Sequence, residues 1–168
     1  MARGPRFAVK FRRRREGKTN YQKRLKLLKS ALPRIVVRKS TNYITIQFVN
    51  YDPKGDRTLL TINSAKLKNF GWKYSCKNTP AAYLTGLLAG KLAKQAKIIN
   101  AIADIGLHSA TKGAKVFAAI KGAIDAGLQI AFDSTNISED RILGKHIAAY
   151  FKNQIVEDFH SVKEKILK

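Results

Sequence analysis

Four consecutive arginines, Arg12–Arg15, are the most prominent chemical feature of the sequence. Lys18, Tyr21, Lys23 and Arg24 follow them at close spacing. An arginine guanidinium can bind a phosphate through two parallel hydrogen bonds, and a tyrosine ring can stack on an unpaired base. Adjacent arginines also repel one another unless a polyanion neutralises them, so a merely solvated surface is the weaker interpretation. The segment therefore predicts binding to the phosphate groups of a polyanion.

The segment Gly86–Lys91 resembles a phosphate-binding loop only in part. Three residues separate its glycines where that motif has four, and Leu92 stands where Ser or Thr would bind magnesium. Apolar residues continue around the segment at helical spacing, which predicts a helix rather than a loop. We therefore expect its small residues to allow close packing of a helix against a sheet.

The titratable side chains do not form a recognisable catalytic or metal site. His108, His146 and His160 lie far apart, and none has a second His or Cys three or four residues away. Asp104, in a short apolar segment, is better explained by a hydrogen bond to a loop or basic residue than by acid–base catalysis. His108, in a polar loop, is open to two interpretations, a contact with RNA or phosphate and simple exposure. Cys76 has no assignable base.

The charge balance of the chain is strongly positive. Its 168 residues include 33 Lys and Arg but only 11 Asp and Glu, which gives a formal net charge of +22 at pH 7. Residues 1–40 contain 15 of the basic residues and one of the acidic residues. A hydrophobic content of 45% excludes a wholly disordered chain, and the charge favours a polyanionic partner.

The cysteine content and the apolar segments bear on localisation. Cys76 is the single cysteine, so an intrachain disulfide framework is excluded and a reducing cytoplasm is favoured. The longest run without a charged side chain, Asn78–Gly90, is shorter than the roughly 18–20 residues of a membrane helix. Lys10 interrupts the apolar residues Phe7–Val9, which is not the pattern of a secretory signal. We expect a cytoplasmic protein with no membrane partner.

Local patterns predict the elements that position the basic residues. Residues 1–17 have no sustained periodicity and are predicted to form an extended arm. Thr19 and Gln22 have the spacing of a capping box at the start of a helix that Pro33 stops. The apolar face of this helix would consist of Tyr21, Leu25, Leu28 and Leu32. The helix would hold the arm at a fixed angle.

The central part of the chain predicts a sheet. Alternating apolar and polar residues indicate three antiparallel strands within residues 34–63, joined by turns at Ser40–Asn42 and Asp52–Gly55. Residues 64–78 are a connection rich in Lys, Asn and aromatic residues. Ala101–Ile105 indicates a short strand that a crossover helix would make parallel to a neighbour.

The helices of the central and C-terminal parts have clear boundary residues. Thr79 and Pro80 predict the cap and first position of a helix with an apolar stripe formed by Leu84, Leu87, Leu88, Leu92 and Ile99. A second helix ends near Gly127, and a last, more charged helix begins at Ser138 and runs past Tyr150.

The fold class predicted from these elements is α/β, a two-layer domain with a mixed sheet of about four strands and helices mainly on one face. We divide the chain into a basic extended N-terminal arm (1–17), an α/β core with its leading helix (18–128) and a C-terminal helical extension (129–168).

Four segments of the sequence, in this order, resemble one known family. They are GPRFAVKFRRRREGKTNYQKRLKLL, PRIVVRKSTNYITIQFVNYDPKGD, NTPAAYLTGLLAGKLA and IGLHSATKGAKVFAAIKGAIDAGL, which are distributed over residues 4–128. They are similar to the archaeal and eukaryotic form of large-subunit ribosomal protein eighteen, the 5S ribosomal RNA-binding protein. The large insertion of the eukaryotic form is missing, so the chain is most similar to the archaeal form.

The resemblance implies a structural constituent of the large ribosomal subunit that is not an enzyme and needs no cofactor. Its implied partners are 5S ribosomal RNA, the large ribosomal RNA and neighbouring ribosomal proteins, including large-subunit protein five. The RNA-contacting regions of the family correspond to the arm and leading helix, the Arg38–Tyr43 turn and the loop His108–Gly113.

Together with basic and aromatic residues of the other predicted turns and connections, these regions define our candidate RNA-binding residues. They are Arg3, Arg6, Lys10, Phe11, Arg12, Arg13, Arg14, Arg15, Lys18, Asn20, Tyr21, Lys23, Arg24, Arg38, Lys39, Ser40, Asn42, Tyr43, Lys54, Trp72, Lys73, His108, Thr111, Lys112 and Lys115.

The chain departs from the family pattern in two places. Relatives often have His-Arg-Pro-Thr where this chain has His108, Ser109, Ala110 and Thr111, which argues against a charged contact at position 109. Relatives often have Ile-Pro-His where this chain has Ile130–Phe132, and beyond that point the resemblance implies no residue roles.

Two other classes of protein remain alternatives on the sequence alone. A chromatin-like protein that compacts nucleic acid without specificity would share the positive charge but would not distinguish RNA from DNA. A small RNA-processing enzyme would need Asp104 as a catalytic carboxylate.

Overall fold

The structure is a computed structural model that describes residues 4–152 and 154–168. Its sheet consists of β1 (Arg34–Lys39), β2 (Ile44–Asn50), β3 (Arg57–Asn63) and β4 (Ile102–Asp104), in the spatial order β3-β2-β1-β4. β1, β2 and β3 are antiparallel neighbours, whereas β4 runs parallel to β1. The predicted meander and the parallel short strand are both confirmed, as is the α/β class.

One face of the sheet forms the hydrophobic core. Ile44, Ile46 and Phe48 of β2 are buried, while the intervening Thr45 and Gln47 lie on the other face and are half-buried. This is the alternation expected of a strand with one face in the core. A bulge in the pairing of β2 with β3, next to Phe48, makes Leu59 the extra residue.

Two long helices cover the core face, α3 (Thr79–Gln95) and α4 (Lys115–Asp125). The predicted cap of α3 was wrong by one residue, because Asn78 is the cap and its Oδ1 accepts a 2.8 Å hydrogen bond from the backbone N–H of Ala81. Ile99 was wrongly assigned to the apolar stripe, since it lies beyond the end of α3 and is 56% exposed.

Glycines lie where α3 crosses α4. A Cβ on Gly122 of α4 would come 2.1 Å from the carbonyl oxygen of Tyr83 in α3, and Gly86 of α3 is equally close to α4. Only glycine fits such a contact between backbones. The Gly86–Lys91 segment is helical and closely packed as predicted, but the predicted partner was wrong, because its glycines lie against α4 rather than against the sheet.

Three helices follow, α5 (Glu139–Leu143), α6 (Lys145–Phe151) and α7 (Ile155–Leu167). The single long helix predicted from Ser138 is therefore wrong. Gly144, with φ of 82°, separates α5 from α6, and Lys152, with φ of 48°, ends α6. Four apolar residues of α7 are buried in the same core as α3, namely Ile155, Phe159, Val162 and Ile166.

The remaining elements are short. α1 (Arg12–Arg15) and α2 (Tyr21–Leu28) precede the sheet, and two 3₁₀ helices span Ser64–Phe70 and Ser134–Asn136. The first 3₁₀ helix lies in the predicted connection and buries Leu67. No helix in the described ranges has both the length and the apolar character needed to cross a membrane.

Candidate nucleic-acid interface

The N-terminal arm exposes its arginines. α1 is about one helical turn, and none of its residues is buried. The Glu16 carboxylate lies 3.5 Å from Arg12 Nε and 2.8 Å from Lys18 Nζ, so it neutralises only a small part of the local charge. The prediction of a wholly extended arm needs correction, because Arg12–Arg15 are helical. Arg6 and Lys10 are exposed, and Arg3 lies outside the described residues.

The arm is joined to α2 by an aromatic contact. The rings of Phe11 and Tyr21 have centroids 5.2 Å apart and are tilted by 46°. This is within the range of favourable aromatic pairs. Two candidate RNA-binding residues therefore contact each other in the free protein.

The start and end of α2 differ from the prediction. Asn20 is the cap, because its Oδ1 accepts a 3.0 Å hydrogen bond from the N–H of Lys23, whereas the Thr19 hydroxyl accepts one of 2.8 Å from Arg13 Nε. α2 ends at Leu28, and Ala31 has φ of 54°, a left-handed conformation that does not continue a helix. Leu32, predicted on its apolar face, is outside the helix.

A network of alternating charges joins α2 to the sheet. Arg24 donates two hydrogen bonds to the Asp56 carboxylate, 2.8 Å from Nη1 and 2.7 Å from Nη2. Asp56 also accepts from Arg34 Nη2, and Arg34 Nη1 donates to Asp104 Oδ2 at 3.0 Å. Hydrogen bonding to Arg24 lowers the pKa of Asp56 below its ordinary value more than burial raises it.

One end of this network was predictable from the sequence and the other was not. For Asp104 we predicted a hydrogen bond to a basic or loop partner, and the bonds from Arg34 and from the N–H of Gly106 confirm this prediction. Asp56 directly follows the turn predicted at Asp52–Gly55, and no basic partner was predicted for it. The sequence contains one indication of the missed pairing. Arg34 begins an apolar strand, and a buried guanidinium needs carboxylate partners.

A groove of about 940 Å³ lies between α2 and the outer face of the sheet. Val36, Gln47 and Val49 of the sheet line it, and Lys23 and Leu27 of α2 face them. Three other segments also line this groove. They are the N-terminal arm with the residues after it, the end of β1 and the loop after β4, through Arg13, Lys18, Arg38 and His108. The fold therefore brings together three segments that are distant in sequence.

The turn between β1 and β2 is shaped by Ser40. Its hydroxyl donates a 3.0 Å hydrogen bond to the carbonyl of Tyr43 and accepts another of 3.0 Å from the Tyr43 N–H. Asn42 and Tyr43 are exposed beside it. Ser40 thus fixes the conformation of the turn, while the side chains of its neighbours are accessible.

The loop that follows β4 lies against this turn. His108 Nε2 accepts a hydrogen bond of 3.5 Å from the backbone N–H of Lys39. Burial lowers the pKa of His108, and the charges of Lys39 and Arg38 lower it further. The imidazole is therefore predominantly neutral at pH 7 and is available for hydrogen bonding or stacking rather than as a cation.

Basic residues continue from this loop into α4. Thr111 and Lys112 are exposed, and Lys115 is half-buried. Burial lowers the pKa of Lys115, and the charges of Lys77 and Lys39 add to that effect. Lys77 was not among the candidate residues, because only the fold brings it near the loop. Lys54 is exposed in the turn between β2 and β3.

Trp72 is the candidate residue that the structure excludes from direct contact. Its side chain is 2% exposed, and its Nε1–H donates to the carbonyl of Ser75 at 3.3 Å. The ring is therefore part of the core and cannot stack on a base in this conformation. Its neighbour Lys73 is exposed.

No group of three or more His, Cys, Asp or Glu side chains that could hold a metal ion occurs among residues 4–152 and 154–168. Cys76 is buried, and burial raises the pKa of its thiol above the ordinary value. The geometry is that of a basic α/β protein with an exposed arginine-rich arm.

Comparison with known proteins identifies the family. The sequence model described as "Ribosomal large subunit proteins 60S L5, and 50S L18" matches residues 5–98 and 90–133. The large ribosomal subunit protein uL18 of Methanoregula boonei is 53% identical over 151 residues, which cover 89% of this chain and 87% of the relative.

Two further archaeal relatives carry the same name. The protein of Methanothrix thermoacetophila is 49% identical over 168 residues, with 99% of each chain covered. That of Metallosphaera sedula is 48% identical over 158 residues, which cover 94% of this chain and 81% of the relative. The class is thus that of ribosomal proteins of the large subunit. This chain belongs to the family of ribosomal large subunit proteins 60S L5 and 50S L18.

Family membership confirms several predictions from the sequence. The protein is a structural constituent of the large subunit of the cytoplasmic ribosome and is not an enzyme. Ribosomal RNA and the ribosome are its partners at this level of description.

Proposed function

We propose that this protein binds 5S ribosomal RNA and helps to attach it to the large ribosomal RNA in the central protuberance. The observation that carries the proposal is the convergence of the arm, the end of β1 and the loop after β4 on one groove. Specific recognition of RNA relies on shape and on unstacked bases, which a groove can accept better than a flat basic surface.

The core and the arm have different roles in this proposal. The α/β core presents exposed Asn42 and Tyr43 and the neutral His108 to looped parts of the RNA, where they contact bases. Arg12–Arg15 bind phosphates, and the release of counterions makes that contribution sensitive to salt. The core therefore supplies specificity and the arm supplies affinity.

The remaining candidate residues extend this surface, with the exception of the buried Trp72. Lys54, Lys73 and Lys112 are exposed, so each can reach a phosphate without a change in the fold. We also propose large-subunit protein five as a neighbour in the assembled subunit. Co-purification of the two proteins with 5S RNA, compared with each protein alone, tests this contact.

The experiment that tests the main proposal is a salt-titrated binding competition. The competitors are 5S ribosomal RNA, an unrelated folded RNA of equal length and duplex DNA of similar length. We expect 5S RNA to remain bound at salt concentrations that release the other two, because only its shape fits the core.

Equal affinities for all three competitors would contradict the proposal. That result would instead support non-specific binding of nucleic acid, the alternative left open by the charge of the chain.

A further inference from the structure

Apolar packing attaches α2 only weakly to the rest of the protein. The helix has no buried residue, and its Leu25 is 60% exposed. Its aromatic contact, between Tyr21 and Phe11, is directed to the arm and not to the core. A groove of about 940 Å³ also separates the helix from the outer face of the sheet. Something other than hydrophobic burial must fix its position.

The pair formed by Arg24 and Asp56 provides this attachment. Among the hydrogen bonds of the described residues, theirs are the side-chain bonds that connect α2 to the sheet. Both oxygens of the carboxylate accept from the guanidinium, so the pair fixes orientation as well as distance. The Arg24 side chain is 29% exposed and that of Asp56 is 24% exposed, so solvent screens the pair only in part.

Asp56 is itself fixed by a second arginine, Arg34 at the start of β1. Its Oδ2 accepts from Arg34, whose side chain is 4% exposed and also donates to Asp104. A carboxylate held by a buried guanidinium has little freedom to follow a moving helix. The bonds between Arg24 and Asp56 therefore restrict the motion of α2 relative to the sheet.

We propose that Asp56 is a positioning residue for RNA binding, which holds α2, and with it the arm, in the orientation that the RNA engages. The inference rests on the proposed function, in which α2 and the arm contact RNA. Asp56 is an anion beside a surface for polyanions, and Coulomb repulsion alone would make its removal strengthen binding. A positioning role requires the opposite effect.

The test compares Asp56→Asn with Asp52→Asn, using a 5S ribosomal RNA transcript as the probe. The two variants lose the same charge from the same turn, and Asn at position 52 can still accept the 3.0 Å hydrogen bond from the N–H of Lys54. We expect Asp56→Asn to bind about tenfold more weakly, because ordering a mobile helix then consumes binding free energy. Asp52→Asn should bind as well as wild type, and Asp56→Glu should restore most of the affinity.

A spectroscopic measurement on the free protein distinguishes a change in the position of α2 from general unfolding of the protein. Nitroxide labels are placed at Lys29→Cys, the C-terminal cap of α2, and at Leu59→Cys on β3, with Cys76→Ala in every variant. We expect one narrow distance distribution with Asp56 present, a broad one in Asp56→Asn and a narrow one again in Asp56→Glu. Binding by Asp56→Asn as tight as that of Asp52→Asn, or an unchanged distance distribution, would overturn the inference.

A second pair of variants covers the case in which Asp56→Asn does not fold. Arg24→Gln releases α2 while leaving Asp56 bound to Arg34, and Lys29→Gln removes the same charge from the exposed end of the helix. Arg24→Gln should weaken binding more than Lys29→Gln and should also broaden the distance distribution, which the loss of a direct RNA contact by Arg24 would not do. Equal losses of affinity, or a narrow distribution in Arg24→Gln, would refute positioning. If wild type does not distinguish 5S RNA from duplex DNA, the proposed function fails, while the distance measurement still decides whether Asp56 fixes α2.

Discussion

Gly86 of α3 lies so close to Ala119 of α4 that a Cβ on Gly86 would be 2.0 Å from the Ala119 carbonyl oxygen. Because the obstacle is backbone, no side chain can rotate away to relieve the contact. We expect Gly86→Ala to reduce the free energy of unfolding by about 3 kcal/mol or more, at the upper end of overpacking costs. Urea unfolding measures the change.

Gly55 is the matched control for that substitution. A Cβ there would meet no atom within 4 Å, and its φ is not in the left-handed range. Gly55→Ala should leave stability unchanged or raise it by up to about 1 kcal/mol, because alanine restricts the unfolded chain. Similar losses at both positions would contradict the proposed packing of α3 on α4.

Asp104→Ala should destabilise the protein strongly. Arg34 is 3% exposed and would keep only Asp56 as a carboxylate partner. Breaking a buried pair leaves a charge without full compensation, and the expected cost is about 3 kcal/mol. As a control, Asp140→Asn removes an exposed partner of Lys145 and should have no measurable effect. Urea unfolding measures both changes. A loss of unfolding free energy for Asp104→Ala as small as that for Asp140→Asn would contradict the prediction.

Asp56 should make stability depend on pH in the acidic range. Its pKa is lowered in the folded protein, chiefly by the hydrogen bonds from Arg24. The folded state therefore binds fewer protons than the unfolded state, and the stabilisation is complete above the ordinary aspartate pKa of about 3.9. It is lost as the pH falls toward the lower value of the folded state.

The check is the difference in unfolding free energy between wild type and Asp56→Asn from pH 6 down to pH 2.5. This difference should shrink with falling pH. A constant difference would show that the carboxylate charge of Asp56 does not stabilise the fold.

Replacing Arg12–Arg15 with alanine should reduce the salt dependence of RNA binding. With about five to eight phosphates contacted, the logarithm of affinity falls against the logarithm of salt concentration with a slope of roughly −4 to −7. Loss of the four side chains should flatten that slope by up to about 3 to 4 and leave the circular dichroism spectrum of the core unchanged. A control that removes four exposed lysines elsewhere uses Lys66, Lys68, Lys165 and Lys168. Equal flattening in both variants would mean that net charge, not the arm, governs the slope.

Trp72 and Lys73 should separate stability from binding. Trp72→Phe removes a buried hydrogen bond and part of a large ring, so it should cost about 1–3 kcal/mol of stability without changing the affinity of the folded protein for RNA. Lys73→Ala should leave stability intact and weaken binding at low salt. A Trp72→Phe variant that folds but binds RNA poorly would show that Trp72 contributes to RNA binding.

Local patterns predicted the sheet well. The alternation of Ile44, Ile46 and Phe48 identified the core face of β2. Alternate side chains of a strand point to opposite faces of the sheet, so a shift of one residue would place all three apolar side chains in solvent. The short strand at Ile102–Asp104 was found from its apolar run between helices. The exposed basic residues of the arm were also evident, because charge density does not depend on the fold.

Boundaries and long-range pairs were harder to predict. Thr19 and Thr79 were chosen as caps next to Asn20 and Asn78, and both residue types can accept the capping bond, so sequence alone does not decide between neighbours. Asp56 and Arg24 are 32 residues apart, and no local pattern links them. The burial of Trp72 likewise depends on tertiary packing.

The packing of α7 on α3 has a consequence for biosynthesis. Phe159 and Ile166 of α7 fill the core beside α3, and Lys91 Nζ of α3 donates to the Ile166 carbonyl at 2.8 Å. The chain emerges from the exit tunnel with its N-terminus first, so α3 is exposed long before its partner is synthesised. The newly made protein therefore passes through a stage in which the arginine arm is complete and the core still lacks α7.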